Sequence, residues 1–450
     1  MNYTEEVSKS NFGDSFAWGV ASAAYQVEGA FLSDGKGLSV WDTFCQDKKK
    51  KLKGQNGNIA CDFYNRYAED IMLMRQMNIG HFRFSIAWAR IFPQGIGAVN
   101  LQGINFYNRV IDFCLEMNIT PWITLYHWDL PAELQKKGGW TNRDIVRWFE
   151  QYVECCVKHF GDRVKNWMVL NEPMVFTGAG YFLGVHAPGK MGLSNFLSAA
   201  HHASLCQAEG ARIIRSLCKE ANIGTTFSYS HIEPFREHPA DIRAAQKVDT
   251  VLNRLFIEPL LGMGYPTKDA PALKKIEKYM KEGDEARLKF DMDFIGLQIY
   301  TRELVRHSWF TPYLQARIIS AAKRNVPHTQ MNWEVYPSAI KEALHRLNKY
   351  EGIKKIIVTE NGAAFPDVVQ GNQIHDEHRK QYIRQHIQQV GIAKQEGVPV
   401  EGYFVWTFTD NFEWAEGYRP RFGLVHVDFG TQRRIIKDSG HWYAAFLQQN

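Results

Sequence analysis

Short apolar runs alternate with longer amphipathic stretches along nearly the whole chain. Eight of the apolar runs predict strands: residues 16–24, 81–88, 119–128, 164–170, 223–230, 294–300, 356–359 and 400–408. Strands buried on both faces read this way, as continuous hydrophobic runs without strict alternation. Helical periodicity fills the gaps, over residues 62–77, 101–117, 141–160, 196–217, 240–255, 337–350 and 375–395. Alternating strands and helices predict a parallel sheet with right-handed crossovers. Eight such units in one chain predict closure, so the expected fold is α/β, a single (β/α)8 or TIM barrel spanning residues 1–450. No low-complexity linker or break in composition divides the chain.

The strand ends carry the chemistry. Gln26 follows the first run, Tyr126-His127-Trp128 closes the third, and Asn171-Glu172 closes the fourth. Tyr300 closes the sixth and Glu360 the seventh; Trp406 closes the eighth, with Asp410, Asn411, Glu413 and Trp414 just beyond. In a barrel these ends share the C-terminal face, where active sites are built. Glu172 and Glu360 each terminate an apolar run beside an Asn, in LNEP and TENG. One such Glu is more often a loop-anchoring ion pair. Two on one barrel face are the minimal equipment for cleaving a glycosidic bond: one protonates the leaving oxygen, the other acts as nucleophile or base. The pair works only if the two pKa values are driven apart.

Gln26, His127 and Asn171 offer the fixed donors and acceptors that a hydroxyl-rich ligand needs. A lone buried His is usually a core residue, but Trp128 and the neighbouring polar ends favour ligand contact for His127. The Asn361-Gly362 turn is expected to present the Glu360 carboxylate, and Tyr300 can donate to a carboxylate on a neighbouring strand end and keep it ionised.

Composition narrows the alternatives. Aromatics make up 13% of the 450 residues, with 13 Trp, which suits a large core and also stacking on pyranose faces. The net charge is +5, and the basic run at 48–53 has no interleaved aromatics, so it predicts a solvated loop rather than a nucleic-acid surface. Seven Cys without CxxC spacing fit a reducing compartment, and the sequons at Asn2 and Asn118 then carry little meaning. With no signal-peptide pattern and no long apolar span, the expected location is cytoplasmic, without membrane association. His201 and His202 are adjacent and would point apart on a helix; no metal-ligand spacing, phosphate loop or serine elbow is present, so no metal and no cofactor are expected. A barrel lyase or aldolase would want a Lys at a strand end, and none is there. A sugar-binding protein without turnover is weighed against by the two intact Glu residues. Homo-oligomerisation stays open.

Seven segments, in order, resemble glycoside hydrolase family 1, the retaining β-glucosidases and their relatives: FAWGVASAAYQVE (16–28), RFSIAWAR (83–90), TLYHWDLP (124–131), NWMVLNEP (166–173), WEVYP (333–337), VTENG (358–362) and the long stretch 403–428. The resemblance implies that Glu172 is the acid/base, Glu360 the nucleophile and Tyr300 its support. It implies sugar contacts from Gln26, His127, Asn171, Glu413 and Trp414, with Trp406 beneath the sugar, Trp128 and Gln298 nearby, and Trp333 toward the aglycone; His186 and Phe422 are further candidates near the cleft. Myrosinases of the family carry Gln at the acid/base, so Glu172 implies an O-glycosidase. The 6-phospho-β-glycosidases carry Ser for Glu413, Lys for Pro420 and Tyr for Phe422, so a neutral sugar is implied. The expected partner is therefore a small β-glycoside or short oligosaccharide, with carboxyl groups roughly 5–5.5 Å apart as retention requires. Two departures stand out: Gln298 replaces the usual Asn, and Ser228 aligns where Asn is common.

Overall fold

The structure is a computed structural model that describes residues 7–47, 52 and 54–449. The basic run at 48–53, apart from Leu52, and the sequon at Asn2 lie outside the described residues. Eight parallel strands close into a barrel: β1 (Ala17–Ala21), β2 (His81–Ser85), β3 (Thr120–Tyr126), β4 (Asn166–Asn171), β5 (Asn222–Ser228), β6 (Phe294–Gln298), β7 (Ile356–Asn361) and β8 (Val400–Trp406). Each pairs with its neighbours in sequence order, and β8 closes on β1 through Ala17↔Gly402 to Ala21↔Trp406. All eight coincide with the expected runs, with ends moved by a few residues. β7 runs two residues beyond its expected end, because pairing carries it past Thr359 to Asn361.

The strands are buried on both faces because helices wrap the outside. Helix Ile145–Phe160 shows how: Ile145, Phe149, Tyr152, Val153, Cys156 and Phe160 form one buried stripe at helical spacing. It packs on helix Leu193–Leu217, itself largely buried. The expected helix at 141–160 begins later because Gly139–Thr141 forms a separate short 3-10 turn. The expected helix at 240–255 is α-helical over Pro239–Asp249 and continues as a π-helical turn over Thr250–Arg254.

Among the elements that were not expected, two sit at the ends of the barrel. A small three-stranded sheet joins His231–Pro234, Arg302–His307 and Ala316–Ile319 above the ends of β5 and β6. A C-terminal helix, Asp438–Gln448, covers the other end of the barrel, where Phe446 packs edge-on against Trp18 at 4.8 Å and Tyr443 donates to the Gly19 carbonyl at 3.1 Å.

Two irregularities aim the strand ends. β4 and β5 shift register between Met168 and Asn171, and β7 shifts against both neighbours between Val358 and Glu360–Asn361. An extra residue bends a strand and re-aims the side chains that follow. Gly362 then lets β7 close on β8, since a Cβ there would come within 1.8 Å of the Trp406 carbonyl oxygen. Asn361 locks the corner: its amide donates to the Ile299 carbonyl at 2.6 Å and accepts from Tyr403 Oη at 2.7 Å.

Candidate active site

A cavity of about 220 Å³ opens at the C-terminal ends of the barrel strands. Ten of the expected site residues line it: Glu172, Glu360, Tyr300, His127, Trp128, Trp333, Trp406, Glu413, Trp414 and Phe422. His186 lines it as well. Gln26, Asn171 and Gln298 are fully buried directly behind the wall, hydrogen-bonded to residues that line it. Aromatic rings shape the space. His127 stacks on Trp406 and Trp414 at 5.9 and 5.8 Å, while Tyr300, Trp333 and Phe422 cluster on another side.

Glu360 is surrounded by donors. Tyr300 Oη reaches Oε2 at 2.5 Å; Gln298 Nε2 and Arg83 Nη1 reach Oε1 at 2.7 and 2.5 Å. Arg83 comes from the middle of β2, is completely buried, and also donates to Asn171 Oδ1 and to Thr124 Oγ1. Sequence reasoning assigned it no role. A single Arg between Phe82 and Phe84 in an apolar strand was the available signal, since a buried charge needs a partner. Burial raises the Glu360 pKa, and the Arg83 charge and the Tyr300 hydrogen bond oppose that rise.

Glu172 has the opposite surroundings. Burial and then the charge of Glu360 raise its pKa well above the usual carboxylate value, with a Ser228 hydrogen bond and Arg83 only partly opposing them. Its backbone is left-handed (φ 46°), a region costly for a side chain larger than glycine. Its N–H bonds the Thr226 carbonyl at 2.9 Å, and Pro173 starts the next helix immediately. Trp128 (φ 77°) and Trp414 (φ 45°) are left-handed too, so three wall residues share a backbone that only the surrounding fold can hold. Of two neighbouring carboxyls, the one with donors ionises first and the other keeps its proton.

The remaining polar groups form a single network. Asn171 Oδ1 accepts from Gln298, Thr226 and Arg83, which directs Asn171 Nδ2 to His127 Nε2 at 2.9 Å. That network assigns the His127 proton to Nδ1. Burial, and then Arg83, lower the His127 pKa, so the ring is neutral. His127 Nδ1, Gln26 Oε1, Gln298 Oε1 and Asn411 Nδ2 are buried without partners. Buried polar atoms are ordinarily satisfied, so this set around one cavity fits a ligand with several hydroxyls. Gln26 Nε2 bonds Asn411 Oδ1, the Phe412 carbonyl and Glu413 Oε2, fixing that loop. Burial, and then the charge of Glu360, push the Glu413 pKa up to about 8. Gln298, one methylene longer than the residue the family usually has, still spans Asn171 and Glu360 at 2.7 Å each.

Among the described residues, one further cluster has metal-ligating side chains. Asp367, Asp410 and His426 bring ligand atoms within 4.8 Å of one another. The buried Lys437 ammonium already bridges the two carboxylates at 2.6 and 2.7 Å, with Arg379 and Arg421 beside it. With Asp376 paired to Arg379, these side chains form an ion-paired strut leading into the Asn411–Trp414 loop.

Comparison with known proteins follows the same lines. The sequence model of glycosyl hydrolase family 1 matches residues 8–450. The chain is 44% identical over 441 residues to a 1,4-beta-D-glucan glucohydrolase of Thermotoga neapolitana, covering 98% of each. It is 43% identical over 444 residues to Beta-glucosidase A of Thermotoga maritima, again covering 98% of each. The solved structure of the family 1 β-glucosidase from T. maritima superposes with a TM-score of 0.93 at 42% identity, covering 98% of both chains. The same T. maritima enzyme in complex with deoxynojirimycin gives 0.93 at 42% identity, covering 97% of this chain and 98% of that one. With the match running from residue 8 to residue 450, the chain belongs to glycosyl hydrolase family 1.

Proposed function

We propose that the protein is a retaining, exo-acting β-glucosidase that releases terminal β-D-glucosyl residues from O-glycosides and short oligosaccharides. One observation carries the assignment of roles. Two buried carboxyls share one cavity; Glu360 is held by three donors, and Glu172 has its proton retained by burial and by the charge of Glu360. Glu360 is the nucleophile. It attacks the anomeric carbon while the Glu172 carboxyl gives its proton to the leaving oxygen, so the bond to the aglycone breaks as the glucosyl ester forms. Esterification removes the negative charge beside Glu172, whose pKa falls. Glu172 then accepts a proton from water, which attacks the anomeric carbon and frees Glu360. Two displacements restore the β configuration.

His127, Glu413 and Trp414 hold the sugar hydroxyls in this reading, over Trp406, and Gln26, Asn171 and Gln298 fix the lining groups from behind. Trp128, Trp333 and Phe422 contact the ends of the substrate. A neutral sugar fits, because four carboxyls, Glu413 among them, and neither Lys nor Arg line the cavity to meet a phosphate. One barrel domain carries the whole activity, and the free cysteines support a cytoplasmic location. Deoxynojirimycin bound to the T. maritima relative supports a glucose-like occupant.

The direct test is parallel assay of p-nitrophenyl β-D-glucoside, β-D-galactoside and β-D-fucoside. Release from the glucoside, with a β-anomeric first product by NMR, is expected. An α-anomeric first product, or no release from any of the three, overturns the reading.

Tyr300→Phe removes one of the three donors to Glu360. A hydrogen bond to a charged group contributes about 1.5–3 kcal/mol, so kcat/KM is expected to fall about 10- to 100-fold. Glu360 also loses support for its charge, so its pKa rises and the acid limb of the pH profile moves to higher pH. An unmoved acid limb would separate Tyr300 from nucleophile support.

A further inference from the structure

Helix Pro239–Asp249 and strand Arg302–His307 enclose a groove of about 530 Å³ that sugar cleavage does not use. Arg236, Arg243, Lys247, Arg306, His307 and Trp309 line it. Asp241 is the one carboxylate among the lining residues, and it is fully buried, accepting from Arg236 at 2.7 Å and from the His307 N–H at 2.9 Å. Lys247 reaches Gln315 Oε1 at 3.2 Å. Arg243 and Arg306 are exposed, and neither guanidinium has an acidic partner among the described residues. Four fixed positive charges therefore face one negative charge, a local surplus of three on a chain whose entire net charge is +5. A concave surface of one sign focuses its field and draws the opposite charge.

Aromatics stand beside these charges. Trp309 is 78% exposed and held edge-on to His307 at 4.6 Å; the neighbouring Phe310 is 97% exposed. The strand that forms one wall begins at Arg302, whose guanidinium grips Glu334 beside Trp333 of the cavity. From Arg302 to His307 it runs ~17 Å, so the groove lies a few sugar lengths from the cleft. Guanidinium forks match planar carboxylates in pairs of hydrogen bonds, and an indole face stacks on a pyranose. A membrane surface would need a flat or convex patch, whereas these cations line a hollow.

We propose that this groove binds an acidic oligosaccharide, a chain of uronate units whose carboxylates meet Arg243 and Arg306 and whose ring stacks on Trp309. The site is separate from the neutral-sugar cavity and holds whether or not that cavity cleaves glucosides. It would tether the protein to acidic glycans and raise the local concentration of nearby substrates.

The full chain is titrated calorimetrically with oligogalacturonate, with a neutral gluco-oligosaccharide of equal length, with single-stranded DNA, and with vesicles of anionic phospholipid. Oligogalacturonate is expected to bind with steep salt dependence. The double variant Arg243→Glu/Arg306→Glu, exposed and unpaired and so expected to fold normally, should weaken it at least tenfold. Trp309→Ala should weaken it several-fold, which a purely ionic attraction would not show. Neutral oligosaccharide binding and nitrophenyl glucoside turnover should be the same in all variants. Absent oligogalacturonate binding, binding undiminished in the double variant, or tighter binding of DNA or vesicles overturns the proposal.

Discussion

Glu360→Ala should lose glucoside cleavage by a factor on the order of 10⁴ or more in kcat/KM, the scale seen when a covalent nucleophile is removed. The geometry adds a second consequence. Arg83 is fully buried and ion-paired with Glu360, so the variant leaves a buried guanidinium uncompensated. Breaking a buried pair from one side costs about 3–5 kcal/mol, so the melting temperature should fall as well. A small anion answers both losses. Azide fits the space the carboxylate leaves, meets the charge of Arg83, and stands on the nucleophile's side of the anomeric carbon. Added azide should therefore raise the melting temperature and restore release of a good leaving group. The product should be the α-glucosyl azide, because one displacement replaces two. A β-azide would place the nucleophile elsewhere. Activity above a few per cent of wild type in Glu360→Ala, with folding intact, would remove Glu360 from the reaction.

What was legible in advance follows from where information sits in a parallel barrel. Strands covered on both faces leave continuous apolar runs, so all eight were visible. Their polar ends marked the catalytic face, and ten of the expected residues line one cavity. Depth was not legible. A strand end fixes position along the barrel axis but not distance from its centre, so Gln26, Asn171 and Gln298 read as equal to His127 while they are buried one layer back. Arg83 was hidden for a related reason: its partner Glu360 lies on β7, and nothing in either segment announces a contact across the barrel. The strand Ala316–Ile319 is only four residues long and gains its order by pairing with Arg302–His307, so no periodicity of its own marks it. The shift that carries β7 to Asn361 is likewise a matter of pairing, which a periodicity of two cannot register.

Glu172→Gln should divide substrates by their leaving groups. General acid catalysis is worth about 10²- to 10⁴-fold where the leaving oxygen needs a proton. An alkyl glucoside should lose that much, whereas nitrophenolate departs nearly unaided and its first step should survive. The second step also needs Glu172, as base, so the glucosyl ester should accumulate: a burst of nitrophenol followed by slow turnover. The pH profile gives an independent check. In the wild-type protein the rate should fall at low pH as Glu360 takes up a proton, and at high pH as Glu172 loses one. The high-pH limb should lie well above the usual carboxylate range, because burial and then the charge of Glu360 raise the Glu172 pKa. In Glu172→Gln that limb should vanish, since no proton remains there to lose, while the acid limb persists. The coupling can be read from the other side. Glu360→Gln removes the neighbouring negative charge, so the Glu172 carboxyl should titrate lower than in wild type when followed by carboxyl NMR. A Glu172 pKa unchanged by Glu360→Gln, or equal losses for alkyl and nitrophenyl glucosides in Glu172→Gln, would mean that the two carboxyls do not share one reaction centre.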